Sequence, residues 1–505
     1  MPLAKLHSIS FLALEGVAVA IEVDLVERSE EGGALVIVGL PDAAVKESKD
    51  RVLTAIKNSG FKTYKLQGTV NLAPGHLKKE GPLYDLPIAL GILSSLGIIE
   101  TGRLEEYLVV GELGLGGETR PIRGALSAAL LARQLKKKGV LVPKANAKEA
   151  VAVPGLEVIG IPSLREAVAF IQDPSALPPE KGEFRAKAAS RSESIDFADI
   201  KGQAHVKRAL EVAAAGGHNI LMQGPPGSGK SMLAKAVGSI MPDMEVEEAL
   251  EATRVHSLAG LIPQGGGLLY QRPFRAPHHT VSYAGLIGGG SRPRPGEVSL
   301  AHNGILFLDE LPEFSRAVLE VLRQPLEERQ VTISRAGGNF TYPTRFLLIA
   351  AMNPCPCGYL GHPDKNCRDS ETQVERYRNK ISGPLLDRID MHLEAPALRY
   401  QEMIEAPPGE SSSAVKERVE RARKKQRERF GPLMTNGQMS RRQLKEIVPL
   451  DAACRELLRQ AIDVMGLSAR AADRMIRVAR TIADLDERAD VAEEHLMEAI
   501  NFRTA

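Results

Sequence analysis

Glycines, a lysine and a hydroxyl stand at the spacing of a phosphate-cradling loop in Gly224-Pro225-Pro226-Gly227-Ser228-Gly229-Lys230-Ser231. In such a loop, backbone N–H groups and the positive N-terminus of the following helix hold phosphate oxygens. Lys230 is expected to reach the β- and γ-phosphates of ATP, and the Ser231 hydroxyl to ligate Mg2+. Downstream, the apolar run Gly304-Ile305-Leu306-Phe307-Leu308 ends in Asp309-Glu310. Asp309 is expected to hold the Mg2+ shell and Glu310 to polarise the attacking water, against the alternative of a solvated acidic pair closing a strand.

A second apolar run, Phe346 to Met352, ends in Asn353, whose amide would face the γ-phosphate or the lytic water. Arg388 follows, in Leu385-Leu386-Asp387-Arg388-Ile389-Asp390. It reads either as a surface ion pair or, favoured by its place after Asn353, as an arginine inserted by a neighbouring subunit to stabilise charge on the γ-phosphate. A trans-acting arginine implies a head-to-tail interface, which closes into a ring if its rotation allows. Near the end of the chain, Ser468 reads as the N-cap of a helix with the apolar stripe Ala471, Met475, Val478 and Ile482. Arg470, Arg474 and Arg477 line the adjoining face. Arg470 is the favoured nucleotide contact from a lid, and the alternative is a basic solvated face.

These residues need a parallel sheet that delivers them to one edge. Ile220-Leu221-Met222 before the loop and the helical stretch from Met232 to Val237 after it supply the required strand and helix. The predicted fold class is α/β, a parallel-sheet core with an α-helical lid, preceded by a second α/β domain. An α/β domain occupies residues 1–171, a Pro- and charge-rich linker 172–194, the P-loop core 195–400, and a helical lid 410–505 after a break rich in Pro, Gly and Ser.

At 505 residues, with 43% hydrophobic and 25% charged residues, the chain is ordinary globular protein large enough for two or three domains. A formal net charge of +2 supplies no overall field, so nucleic-acid contacts must come from local basic patches. With no Trp and 4% aromatics, base stacking is poorly supplied, and backbone contacts are expected. Glu15 interrupts the apolar stretch from Ile9 to Ile21, which reads as a strand better than as a signal peptide. The run Leu86 to Ile99 is too short to span a bilayer. Clustered cysteines without a disulfide framework fit a reducing compartment, so a cytoplasmic protein with no membrane partner is expected.

Cys355, Cys357, His362 and Cys367 offer three thiolates and an imidazole, the soft ligand set of a structural Zn2+ site. Their Cys-x-Cys spacing is tighter than usual, and a redox-inert loop held by Pro354 and Pro356 is the alternative. Candidate DNA contacts are Arg335, at the tip of a hairpin formed by Gln330–Ser334 and Asn339–Tyr342, and Arg292 and Arg294 in a glycine-rich basic loop. The run Lys416 to Arg429 holds eight Lys/Arg against three Glu and reads first as an exposed helix face, with DNA contact as the lesser alternative. His278 and His279 could act in the site, but adjacent side chains diverge, so one structural and one interface role is favoured.

The P-loop, Asp309-Glu310, Asn353, Arg388 and Arg470, in that order, resemble an AAA+ ATPase with its sensor-1, arginine-finger and sensor-2 positions. Gln271-Arg272-Pro273-Phe274-Arg275-Ala276-Pro277-His278-His279-Thr280, Asn353-Pro354-Cys355-Pro356-Cys357-Gly358 and, near the N-terminus, Val38 to Ser48 and Asn71-Leu72-Ala73-Pro74 narrow the resemblance to the YifB/ComM group of magnesium-chelatase-like ATPases. That resemblance spans nearly the whole chain. It implies a hexameric homo-oligomer that moves on DNA, with helicase-driven branch migration in homologous recombination or natural transformation. It also implies a further cysteine where this chain has Asp369. The alternative is a metal-chelatase-like or protein-remodelling ATPase acting on a protein partner.

The N-terminal stretches Lys79 to Asp85 and Gly111 to Gly117 resemble the Lon protease domain. In that alignment Leu83 and Leu126 stand where a nucleophilic serine and its lysine would be, so a non-proteolytic domain is expected.

Overall fold

The computed structural model describes residues 3–26, 34–62, 66–182, 195–263, 265–290, 293–335, 338–397 and 409–503. The chain divides into two compact units, Met1–Ala186 with Thr253–Leu269, and Lys187–Ala252 with Tyr270–Ala505.

The first unit is built on a seven-stranded sheet in the order Leu35–Val38, Gln67–Ala73, Glu15–Val26, Ala4–Leu12, Tyr107–Val109, Gly139–Pro143, Glu157–Ile161. The long apolar run of the sequence becomes helix Asp85–Ser95, buried along its whole length against this sheet. Among the described residues no helix is long and apolar enough to cross a membrane. Residues 172–182 pack onto the same unit, with the Glu180 N–H donating to the Val158 carbonyl at 2.8 Å. Residues 253–269, drawn from within the P-loop half of the sequence, join it through Ser257, which donates to the buried Glu149 carboxylate and accepts from the Gly124 N–H at 2.9 Å.

The second unit holds a five-stranded, all-parallel sheet in the order Phe274–Arg275, Ile305–Leu308, Leu347–Met352, Ile220–Gln223, Met391–Glu394. The inner strands are near-continuous apolar runs because helices cover both faces, which is what a buried parallel strand requires. The strand ending before Asn353 lies between the P-loop strand and the acid strand, in register Gln223↔Met352 and Leu308↔Ala350. Three chemically active segments therefore leave the sheet side by side at its C-terminal edge, where open α/β sheets bind ligands.

The C-terminal helices Ser412–Phe430, Ala452–Met465, Ala469–Leu485 and Glu493–Asn501 share one apolar core with this sheet and do not form a unit of their own. Ser468 caps Ala469–Leu485, its hydroxyl accepting from the Ala471 N–H at 3.2 Å, and Ala471, Met475, Val478 and Ile482 are buried as the stripe predicts. The basic run on Ser412–Phe430 is not a free charged face. Lys416 pairs with Asp243, Arg418 with Glu211 and Glu410, Arg427 with Glu245 and Arg429 with Asp484, while Arg423 is turned inward onto the Ala214 carbonyl. Apart from Glu410, those partners come from elements distant in sequence, which a local charge count does not register.

Candidate nucleotide-binding site

The loop after Ile220–Gln223 turns on Gly227 and Gly229, whose φ angles of 82° and 85° lie in the left-handed region that a side chain disfavours. A Cβ at Gly224 would meet the Ala395 carbonyl oxygen at 2.1 Å, so only glycine lets the loop cross the adjoining strand. Helix Lys230–Ile240 then begins with its N-terminus in the loop. Pro226, Gly227, Ser228, Gly229, Lys230, Ser231, Asp309, Glu310 and Asn353 line a cleft of about 340 Å3.

Within this cleft the Lys230 Nζ donates to the carbonyls of Gly224 at 2.7 Å and Pro225 at 2.9 Å, and lies 3.3 Å from Asn353 Oδ1. Burial pulls the Lys230 pKa down, and the charges of Asp309 and Glu310 oppose that shift. The Ser231 hydroxyl donates to Asp309 Oδ2 at 2.6 Å, so the two oxygens expected to share a Mg2+ shell are already adjacent. Asp309 Oδ1 accepts from the Glu310 N–H at 2.9 Å, and Glu310 itself sits at φ 52°. A glutamate in this sparsely populated region is the kind of backbone strain that gathers at functional sites. An amine donor, a hydroxyl–carboxylate pair and a glycine turn at a helix N-terminus fit Mg·ATP in charge and in donor type.

His279, for which the sequence favours a structural or interface role over a role in the site, lies beside the acid pair. Its Nδ1 lies 3.4 Å from Glu310 Oε2. The expectation that His278 and His279 diverge is corrected: their rings lie together, 4.0 Å between centroids and tilted by 35°. The only sequence signal was two imidazoles close before the acid strand, and nothing in their spacing pointed to Glu310.

Arg388 and Arg470 are not in this cleft. Arg388 precedes strand Met391–Glu394, which runs parallel to the P-loop strand in register Ile220↔Met391, so it lies at the opposite, N-terminal edge of the sheet. A four-residue strand spans roughly 13 Å, which separates that edge from the P-loop. There Arg388 donates from Nε to Glu327 Oε2 at 3.0 Å, closes a second bond to the same oxygen through Nη2, and donates from Nη1 to the Pro384 carbonyl at 2.7 Å. Arg474 donates to the Arg388 carbonyl at 3.1 Å and pairs with Asp390. Arg470, Arg474, Arg477, Glu327 and Asp390 line a cavity of about 350 Å3 that shares no lining residue with the P-loop cleft. The lid helix thus carries Arg470 to the Arg388 edge, away from the P-loop of its own chain. The hydrogen bond from Arg388, with its charge and those of Arg470 and Arg474, holds the Glu327 carboxyl below the usual range.

The cysteine cluster is also redrawn. Cys355, Cys357 and Cys367 come together with Asp369, all ligand atoms within 4.8 Å of one another. His362 is outside the group: its Nδ1 accepts from the Asp364 N–H at 3.0 Å and its ring packs edge-on against Tyr359. Among the DNA candidates, Arg335 and Arg294 are exposed, and Arg292 lies outside the described residues. Strands Gln330–Arg335 and Gly338–Pro343 form the expected hairpin. Tyr342 donates to the Pro293 carbonyl at 2.7 Å, and a Cβ on Gly289, the strand partner of Arg294, would lie 3.8 Å from Arg335 Nη2. Two basic loops that are separate in sequence are therefore neighbours in space.

A parallel sheet in this strand order, with a P-loop, an acidic pair and a polar residue at one edge, defines an AAA+-type P-loop module. Its core matches the family described as magnesium chelatase, subunit ChlI, over residues 196–403. Residues 409–503 match the C-terminal family of that subunit, and residues 21–146 a further ChlI family. The YifB protein of Escherichia coli is 41% identical over 507 residues, covering 100% of this chain and 97% of its own length. Competence protein ComM of Haemophilus influenzae is 41% identical over 509 residues, covering 100% and 98%. The 38 kDa magnesium-chelatase subunit of Rhodobacter capsulatus is 25% identical over 187 residues, 34% of this chain and 53% of that protein. The chain belongs to the YifB/ComM family of magnesium-chelatase-like AAA+ proteins.

Proposed function

We propose that the protein is an ATP hydrolase that works as a ring-forming DNA motor, a helicase driving branch migration in homologous recombination or natural transformation. One observation carries the ring: Arg388 and Arg470 sit at the sheet edge opposite the P-loop of their own chain. Among the described residues, each chain thus has a P-loop cleft lined by no arginine and, apart from it, a cavity lined by arginines. A neighbour stacked head to tail brings the two together, and such a contact closes into a ring when its rotation permits. Six subunits is the number the family resemblance implies.

In this reading, bound Mg2+ neutralises charge on the β- and γ-phosphates. Lys230 leaves the loop carbonyls to contact phosphate, Ser231 and Asp309 hold the metal, and the P-loop N–H groups fix the triphosphate. Glu310, released from His279, orients water against the γ-phosphate while Asn353 places it. Arg388 of the adjoining protomer leaves Glu327 to stabilise the charge that develops. Arg470 follows from the same face. The adjacency of Arg335 and Arg294 supports a phosphate-backbone contact in the pore, and the similarity to a competence protein of Haemophilus influenzae supports DNA as the partner. The cytoplasm, where ATP and chromosomal DNA meet, is the proposed place of work.

The test is the ATPase rate with and without four-way-junction DNA. Stimulation that weakens with salt is expected. Undiminished hydrolysis with no salt-sensitive DNA binding would instead favour a protein-directed chelatase-like motor, the reading to which the Rhodobacter similarity points. Against that second reading, the chain has no Asp-x-Ser-x-Ser motif of the kind chelatase partner subunits carry.

A further inference from the structure

The loop that follows Asn353 gathers three thiols about a common point. Cys355 and Cys357 Sγ are 3.4 Å apart, and each lies 3.6 Å from Cys367 Sγ. The Asp369 carboxylate closes the fourth side, Oδ2 lying 3.8 Å from Cys367 Sγ and accepting from the Cys357 N–H at 2.8 Å. All of these cysteines are free thiols, so no disulfide explains their approach. An ion with bonds of about 2.3 Å to sulfur in a tetrahedron sets its sulfurs about 3.8 Å apart, close to the spacing seen. The Leu360 N–H donates to Cys355 Sγ at 3.4 Å, as backbone N–H groups do when a metal thiolate needs its charge spread.

The loop also touches the nucleotide site. Gly358, at φ 82°, approaches the P-loop so closely that a Cβ there would meet Pro226 Cδ at 2.6 Å and lie 3.8 Å from Asn353 Cγ. Cys355 is two residues from Asn353, whose Oδ1 is 3.3 Å from Lys230 Nζ. A metal at the thiols would fix the loop against Pro226 and with it the gap between Asn353 and the P-loop.

We propose that Cys355, Cys357, Cys367 and Asp369 bind one structural Zn2+, and that this ion is a latch holding Asn353 and Pro226 at working distance. The metal site stands independently of hydrolysis, whereas the latch rests on the ATPase reading above. Asn353 is then placed by the ion, and the four ligands are positioning residues.

Metal content of the full-length protein, purified without chelator, tests the site with no reference to activity. One equivalent of zinc is expected, and Co2+ exchanged in its place should give intense tetrahedral d–d bands with a thiolate charge-transfer band. Cys367→Ser should lower metal affinity by ~10-fold or more, while Asp369→Cys keeps the ion and shifts the Co2+ spectrum toward that of four thiolates. His362→Ala should leave the content unchanged. Wild-type protein that carries no zinc and shows no tetrahedral Co2+ spectrum overturns the site, and loss of metal in His362→Ala with retention in Asp369→Ala overturns the ligand set.

For the latch, Asp369→Ala, which leaves the thiols and the fold in place, should lower kcat ~10-fold with ATP affinity nearly unchanged, and Asp369→Cys should restore it. A metal-depleted Asp369→Ala protein with full kcat overturns the latch alone. Absence of ATPase in zinc-loaded wild type would overturn the hydrolase reading and the latch but leave the metal site standing.

Discussion

The two edges of the parallel sheet differ in how their charges are arranged. At the C-terminal edge each group faces a partner inside the same cleft: Lys230 with the loop carbonyls and Asn353, Ser231 with Asp309, Glu310 with His279. At the N-terminal edge Arg388, Arg470, Arg474 and Arg477 gather near three carboxylates, Asp390 within the fold, Asp473 beside it and Glu327 open to solvent. Asp390 is buried, and burial alone would raise its pKa, yet Arg474, His218 and the Asn219 N–H keep it below the ordinary value. On the proposed reading, one edge is organised for a ligand and the other holds cations for a neighbour's site, so that a single protomer has both halves of the chemistry at opposite edges.

The sharpest break comes at the ligand edge. Glu310→Gln keeps the shape of the cleft and removes the group that orients water, so kcat should fall by about 100- to 1,000-fold while binding of a fluorescent ATP analogue persists. Loss of binding together with turnover would mean that Glu310 holds the cleft open and does not act on water.

The arginine edge is tested by pairing defects. Arg388→Ala alone should lose about 100-fold or more in kcat with ATP affinity retained, and Lys230→Ala should lose binding. Mixed together, these two inactive proteins should regain activity, because an interface between the P-loop of the first and the Arg388 of the second is intact. Inactivity of every mixture that still co-assembles would show that Arg388 serves its own chain.

The meeting of Lys230, Asp309 and Asn353 in one cleft was legible in the sequence because Asp309 and Asn353 follow strands marked by local apolar runs, Lys230 follows its strand through the glycine loop, and parallel pairing places the three together. The α/β class and the apolar stripe beneath Ser468 were legible for the same reason. Arg388 was legible as a candidate, but not its edge, since strand direction decides on which side a residue preceding a strand emerges. The edge on which Arg470 emerges was likewise not legible, because it depends on lid packing through Met475 and Val478 onto the sheet. Asp369 replaced His362 in the cysteine cluster because the turn at Gly358 and Gly361 folds the loop back on itself, turning the imidazole to Tyr359. The approach of His279 to Glu310 had no local signature because it depends on the pairing of Phe274–Arg275 with Ile305–Leu308, strands about 30 residues apart in sequence.

Acid should loosen the arginine edge before the ligand edge. His218, beneath the cavity wall at Gly217, is fully buried with Nε2 2.7 Å from Thr481 Oγ1 of the lid helix. Burial pulls its pKa down to about 4, with Arg477, Arg423 and Arg474 adding to the shift and Asp390 opposing it. His392 is likewise pulled to about 4 by burial. Below pH 6.5 the unfolded chain takes up protons that these folded imidazoles refuse. Stability therefore falls with pH by about 1.4 kcal/mol per unit for each group until about pH 4. The melting temperature should drop between pH 7 and 5.5, and His218→Gln should flatten that slope. Arg388-dependent hydrolysis should fade on the same descent while nucleotide binding survives. An unchanged slope in His218→Gln would remove this histidine as the source.

The smallest effect concerns Glu327, whose side chain is 54% exposed while that of Arg388 is 11% exposed. A carboxylate so open to water contributes at most about 1 kcal/mol to the pair, so Glu327→Gln should change the melting temperature little. Its consequence is for catalysis. If Arg388 must leave Glu327 to enter the next protomer's site, removing the charge lowers the cost of departure, and kcat should rise by up to about 3-fold. A fall toward the Arg388→Ala level would mean the opposite, that the carboxylate steers the guanidinium outward and the pair is a guide. The direction of that modest change therefore distinguishes a restraint on the arginine from a mount for it.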